Sequence, residues 1–187
     1  AEGLPELIAL RDRYAAGLAS IVRGDERIAA LEKRLSEASG QAEALAAQLH
    51  DARRKAAPAF EKRILATLSR LGMADTVFRV GLDDSGPLAR TGRDSVSFLF
   101  TANRNTAPQP VERIASGGEL SRVMLALKEL LAERMQLPTI LFDEIDTGVS
   151  GRIADAMGEI ICSLAAAMQV VDITHLPQVA SKGATHF

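Results

Sequence analysis

The chain has 187 residues, 47% of them apolar, and 22 Lys and Arg against 24 Asp and Glu, for a formal net charge of −2. That length can hold one compact domain plus an extended element, and the charge balance excludes a polybasic nucleic-acid binder, leaving only a local patch for any contact with DNA. A lone Cys162 excludes an intramolecular disulfide and fits a reducing cytoplasm; no run of about 18 apolar residues marks a membrane span.

At the N-terminus, Ala1-Glu2-Gly3-Leu4-Pro5 has neither the basic nor the apolar region of a signal peptide. The chain starts without Met and ends on Thr185-His186-Phe187, which reads like the beginning of a strand, so a fragment is expected. Leu7, Tyr14, Ile21, Ile28, Leu35, Ala42, Leu49 and Ala56 then fall seven apart, with Leu10, Gly17, Gly24, Leu31, Ala38, Leu45 and Ala52 three residues after the first seven. This is the a/d seam of a coiled coil, flanked by charges and softened at Gly24 and Ser39-Gly40. A helix over 5–57 would be about 80 Å long at 1.5 Å per residue. It cannot bury its seam alone, so a second helix is required; the plainer alternative is a helix of an ordinary bundle.

Pro58 is expected to interrupt the arm. A short helix with Phe60, Ile64, Leu68 and Leu71 at helical spacing follows, up to Gly72. The periodicity predicts a coiled-coil arm over 1–72 and an α/β lobe over 73–187. Strands are expected at 76–80 and 95–101, joined by a turn-rich segment, with a longer loop from Asn103 to Pro110. Beyond it the pattern is helix (118–136), strand (139–143), helix (151–168), strand (170–174). The 139–143 strand is one apolar run, as in a buried parallel sheet. The expected core is a parallel βαβ unit beside a small antiparallel hairpin, with ligands at the carboxyl ends of the parallel strands.

Ser116-Gly117-Gly118 opens the first helix of that unit with free N–H groups, a positive dipole end and no side chains in the way, a suitable site for a terminal phosphate. Alone, Ser116 with Glu119 three residues on reads first as a capping box. Asp143-Glu144, ending the apolar strand, changes that balance. Asp143 suits Mg²⁺, which keeps hard oxygen ligands, and Glu144 can hold and polarise a water attacking a γ-phosphate. Solvated turn carboxylates are the alternative. Asp146 begins the tight loop into the next helix. His175 follows the second core strand; a lone His is more often a packed or surface residue, but beside the Asp-Glu edge it becomes a candidate sensor of the γ-phosphate. His50 and His186 have no partners at metal-ligand spacing, and no Gly-x-Ser-x-Gly elbow supports a hydrolase triad. Arg53-Arg54-Lys55 and Lys62-Arg63 read as a solvated helix face, with DNA backbone contact as the alternative. No Gly-x-x-x-x-Gly-Lys-Ser/Thr occurs, so the chain alone is expected to be inactive as an ATPase.

Three stretches, Ile114 to Arg122 around Ser-Gly-Gly-Glu, Leu141 to Gly151 around Asp-Glu, and Thr174-His175-Leu176-Pro177-Gln178-Val179-Ala180, resemble the C-terminal half of the RecN family. These are bacterial double-strand-break repair ATPases related to SMC proteins. Generic ABC transporters carry Leu-Ser-Gly-Gly-Gln; here Ala115 and Glu119 replace its first and last residues. The resemblance implies the C-terminal lobe of an ABC-type ATPase head preceded by the returning helix of an antiparallel coiled coil. By position, Ser116, Gly117, Gly118 and Glu119 match the signature that reaches ATP held by an opposing head. Asp143 matches the Mg²⁺ residue, Glu144 the catalytic base, Asp146 the D-loop aspartate and His175 the switch histidine. Implied partners are an N-terminal P-loop lobe, an opposing arm helix, a second head closing on ATP, and DNA ends, in a cytoplasmic, nucleoid-associated setting. Another SMC-like or ABC-type ATPase, and a non-catalytic coiled-coil module, are the competing readings.

Overall fold

A computed structural model of the chain describes residues 3–114, 116–135 and 137–187, with only the backbone of Glu133 and Met135. Ala115, the first residue of the signature, and Gln136, the expected end of its helix, lie outside the described residues. The element order is α1 (Leu4–Arg70), β1 (Val77–Asp83), β2 (Ser95–Thr101), β3 (Gln109–Pro110), a 3₁₀ turn (Val111–Arg113), α2 (Gly117–Met135), β4 (Thr139–Asp143), α3 (Gly151–Ala165), β5 (Gln169–Ile173) and α4 (Pro177–Ala180). Residues 184–187 form no strand, so the expected β start at Thr185 is not realised.

The chain divides into two compact units, 1–50 with 87–93, and 51–86 with 94–187. In the first, α1 turns its apolar seam to solvent: Leu7, Tyr14, Ile21, Ile28, Leu31, Leu35 and Leu45 are all at least half exposed. Residues 87–93 form a tight turn closed by the Ala89–Gly92 bridge, with Arg93 3.3 Å from Glu43.

In the second unit, Pro58 does not end the arm. α1 continues through it to Arg70, forgoing one backbone hydrogen bond, because the following turn is held by packing: Ile64 and Leu68 are fully buried, with Phe60 and Leu65 against the same core. The helix stops at Gly72, whose φ is +78. Met73 N–H donates to Leu68 O at 2.9 Å and Gly72 N–H to Ser69 O at 3.2 Å, a Schellman cap.

β1 and β2 pair antiparallel in a continuous register from Val77–Thr101 to Asp83–Ser95, and β3 adds to β2. Phe78 and Phe98 stack at 5.7 Å between centroids, with Phe60 of α1 against both. Glu61 fastens α1 to β1, accepting from Val80 N–H at 2.8 Å and from Arg79 at 2.9 Å. α2 is shared by two cores. Val123, Ala126, Leu127 and Leu130 face the antiparallel sheet and α1, whereas Leu125 and Ala132 join the core of Ile140, Phe142, Met157, Ile160 and Leu164.

β4 and β5 pair parallel and in register, Thr139–Gln169 to Asp143–Ile173, with α3 as the crossover. The expected βαβ unit forms, but β4 is not buried on both faces. Ile140 and Phe142 face the core, while Leu141 is 57% exposed and Val171 and Ile173 of β5 are 43% and 50% exposed. The apolar run thus alternates, because only one side of the pair has anything packed on it.

Candidate functional site at the carboxyl ends of the parallel strands

Asp143 is the last residue of β4, and its side chain is exposed. Glu144 follows with φ +48, a left-handed conformation that non-glycine residues rarely adopt. Its N–H donates to Ile173 O at 2.9 Å, extending the pairing of β4 with β5 by one bond. Its carbonyl accepts from Thr147 N–H and from Thr147 Oγ1, the latter at 2.8 Å. The turn is therefore closed behind Glu144 and leaves the carboxylate in solvent.

Asp146 is placed differently from its two acidic neighbours. It is 2% exposed, and Oδ2 accepts a hydrogen bond from Thr174 Oγ1. Thr174 in turn accepts from Leu176 N–H at 3.0 Å, which shapes the segment carrying His175. Asp146 thus connects the loop after β4 to the loop after β5. Its Oδ1 has no hydrogen-bond partner among the described residues.

Asp172, not anticipated from the sequence, pairs with Phe142 in the ladder and shares its face. It is half-buried, and its Oδ1 is likewise unpartnered. Burial, and then the nearby charge of Asp146, push its carboxyl from the ordinary 3.8 up to about 6. An Asp inside the run Val170-Val171-Asp172-Ile173 was the available signal. His175 is exposed at the end of β5, on the same carboxyl edge as Asp143 and Glu144.

Ser116 stands immediately before α2. Its carbonyl accepts from Leu120 N–H at 3.0 Å and its Oγ from Glu119 N–H at 3.4 Å, so the cap forms. Gly117 has open space where a Cβ would be; a Cβ on Gly118 would lie 3.5 Å from Thr147 O. The start of α2 therefore lies against the loop that holds Asp146. Arg122, also unanticipated, donates from Nε to Gly118 O at 3.0 Å and from Nη1 to Leu71 O at 3.2 Å, joining this helix start to the end of α1.

Among the described residues, no group of three or more His, Cys, Asp or Glu is arranged to hold a metal ion. One exposed carboxylate at a strand end still suits Mg²⁺, which takes one or two carboxylates and fills its octahedron with phosphate oxygens and water.

No protein-family model matches the chain. The SMC head domain with a coiled coil and joint from Pyrococcus yayanosii superposes with a TM-score of 0.54 at 18% identity, covering 96% of this chain and 30% of that one. The SMC head domain of Pyrococcus furiosus, bound to the C-terminal domain of ScpA, gives 0.54 at 17% identity over 67% of this chain and 30% of its own. The fold is that of part of an SMC-type head with its adjoining helix. The sequence carries the assignment further. DNA repair protein RecN of Mycobacterium tuberculosis is 41% identical over 195 residues, 94% of this chain, and RecN of Xylella fastidiosa is 37% identical over 184 residues, 97% of it. The chain belongs to the RecN family, and it spans 33% of the length of each of these relatives.

Proposed function

We propose that the chain is the arm-and-signature portion of a RecN-type ATPase acting in DNA double-strand-break repair, with residues 1–72 as the returning arm helix and 73–187 as the C-terminal lobe of the head. The observation that carries this reading is the unfinished state of the parallel pair. Parallel sheets are ordinarily covered on both faces, yet Leu141, Val171 and Ile173 are bare, next to the exposed Asp143–Glu144 edge. A P-loop lobe of the same protein would cover that face and bring ATP to the edge. The open α1 seam calls in the same way for an opposing arm helix.

In this assembly Asp143 would hold Mg²⁺, which neutralises phosphate charge when bound. Glu144 orients and deprotonates the attacking water. His175, beside it on the carboxyl edge, hydrogen-bonds the γ-phosphate oxygens. Asp146 is a positioning residue: through Thr174 it sets the segment that carries His175. Ser116 Oγ and the N–H groups of Gly117 and Gly118, with Glu119 behind them, meet the γ-phosphate of ATP held by a second head. ATP thereby closes two heads, and hydrolysis releases them while DNA ends are held. The setting is cytoplasmic and nucleoid-associated; among the described residues no helix is long and apolar enough to cross a membrane.

The test is to complete the protein with its P-loop lobe and measure ATP turnover with and without linear double-stranded DNA. Turnover should appear only on completion and rise with DNA. Glu144→Gln should lower kcat by about 10²–10⁴-fold, as expected for loss of a general base, and accumulate ATP-bound dimers. Unchanged turnover in that variant would remove Glu144 from the reaction; a folded complex that binds ATP without turning it over would favour a non-catalytic module.

A further inference from the structure

β4 alternates in the ordinary way up to its end: Ile140 and Phe142 are buried, and Thr139, Leu141 and Asp143 are exposed. One more residue in strand conformation would send the side chain of Glu144 to the packed face, on the side of Phe142. Glu144 is exposed instead, because its φ of +48 breaks the alternation and keeps both carboxylates in solvent. Glycine adopts that conformation freely; a residue with a Cβ holds it only where its surroundings impose it.

Two anchors impose it here. Upstream, Glu144 N–H is fixed to Ile173 O at 2.9 Å. Downstream, Glu144 O accepts from Thr147 Oγ1 at 2.8 Å and from Thr147 N–H at 3.3 Å. The Cα and its side chain hang between these fixed ends, so the torsions of Glu144 are set by where its carbonyl is tied. Of the two bonds at that carbonyl the hydroxyl bond is the shorter, and it is the one a side chain controls. Resting on the reading that Glu144 is the general base, we propose that Thr147 is a positioning residue for it: by holding the carbonyl of Glu144, the Thr147 hydroxyl keeps the carboxylate turned out to the attacking water. Thr147 is itself exposed, so its bond adds little to folding. In the chain alone, water can replace the hydroxyl. Once a completing lobe covers the edge and excludes water, that substitute is lost and the bond strengthens in the drier site.

The experiment compares Thr147→Val, Thr147→Ser, Glu144→Gln and the double variant of Glu144→Gln with Thr147→Val in the complete protein, by steady-state ATP turnover and thermal melting. Valine keeps the shape of threonine and deletes the hydroxyl; serine keeps the hydroxyl. Thr147→Val should lower kcat about ten-fold, part of the roughly 10²-fold that a misplaced group can cost. KM should stay within about two-fold, since substrate binding is not touched. The melting temperature should move by no more than about 2 °C, as for a surface substitution. Thr147→Ser should keep kcat within about two-fold of the unsubstituted protein, because it retains the bond. With the base already gone, adding Thr147→Val to Glu144→Gln should change turnover by less than about two-fold, since the hydroxyl acts only through Glu144. A full ten-fold loss in that background, or a Thr147→Ser variant as slow as the valine one, would show that Thr147 serves something other than the base. If Glu144→Gln loses turnover while Thr147→Val keeps it, the base stands and its positioning by Thr147 falls. If Glu144→Gln turns over normally, the base assignment falls and takes the role of Thr147 with it.

Discussion

The two sheets of the second compact unit are built to different degrees of completion. The antiparallel sheet β1–β2–β3 is packed: Phe78 is fully buried and Phe100 nearly so, Phe60 and Phe98 stack beside Phe78, and Glu61 ties the sheet to α1. The parallel pair β4–β5 has a core on one face and bare Leu141, Val171 and Ile173 on the other. Yet the carboxylates suited to chemistry are all on the second. The sheet that is packed on its own supports the fold, and the sheet with a bare face carries the proposed site, so on the proposed reading activity waits on assembly.

The sharpest way to break this contrast is a matched pair of truncations. Phe78→Ala removes a ring with no solvent exposure from the stack, and should cost about 3–5 kcal/mol in urea unfolding of the chain. Leu141→Ala should change the stability of the chain by no more than about 0.5 kcal/mol, as for a surface position. In the protein completed with its P-loop lobe, the same Leu141→Ala should cost about 2 kcal/mol, the low end for a buried leucine. Equal effects of Leu141→Ala in both contexts would show that nothing docks on the parallel pair.

A smaller effect is expected where the parallel unit is most tightly assembled. Gly158 of α3 has no room for a side chain: a Cβ there would lie 3.1–3.3 Å from Lys182 Cγ, Gln178 O and Val179 Cα, two of them backbone atoms of the α4 segment. Gly158→Val should therefore push α4 away and destabilise the chain by about 1–3 kcal/mol, the usual cost of overpacking. Because α4 follows His175 directly, the completed protein should also lose turnover. A variant that keeps full stability would mean α4 can shift freely, and that it does not position His175.

Much of this arrangement was legible before any coordinates. The heptads, the Ser-Gly-Gly opening of α2, the apolar strand ending in Asp143-Glu144 and the Thr-His tail after β5 are local patterns, and each falls where its periodicity or spacing placed it. What escaped was set by tertiary context. Pro58 carries a local cost of about 3 kcal/mol in a helix interior, but burial of Ile64 and Leu68 one to three turns later outweighs it. The apolar 139–143 run suggested a strand covered twice, and a sequence cannot state which chain covers it. The link between Asp146 and Thr174 joins residues 28 apart, and Arg122 reaches Leu71 across 51; neither separation corresponds to a repeat. Nor does spacing reveal that Asp146 is buried while Asp143 and Glu144, in the same short stretch, are exposed.

Asp172 offers the finest test, because it shows what the packed face of the parallel pair gives up to hold an acid. Its carboxyl lies at about 6 against the ordinary 3.8, through burial first and the charge of Asp146 second. The folded chain therefore holds this proton more tightly than the unfolded chain does. The stabilisation is fully present below pH 4 and is lost as the pH rises through about 6, since unfolding then releases the strain of a half-buried anion. Asp172 is still partly in solvent, so the full shift overstates the effect, and about 1 kcal/mol is the expected scale after screening. Asp172→Asn removes the charge and adds donors beside the unpartnered Asp146 Oδ1. The melting temperature of the variant should exceed that of the unsubstituted chain above pH 6.5, and the two should converge towards pH 4. A constant difference across that range would mean that Asp172 is already charged and solvated throughout it, and that the packed face of β5 is wetter than its burial implies.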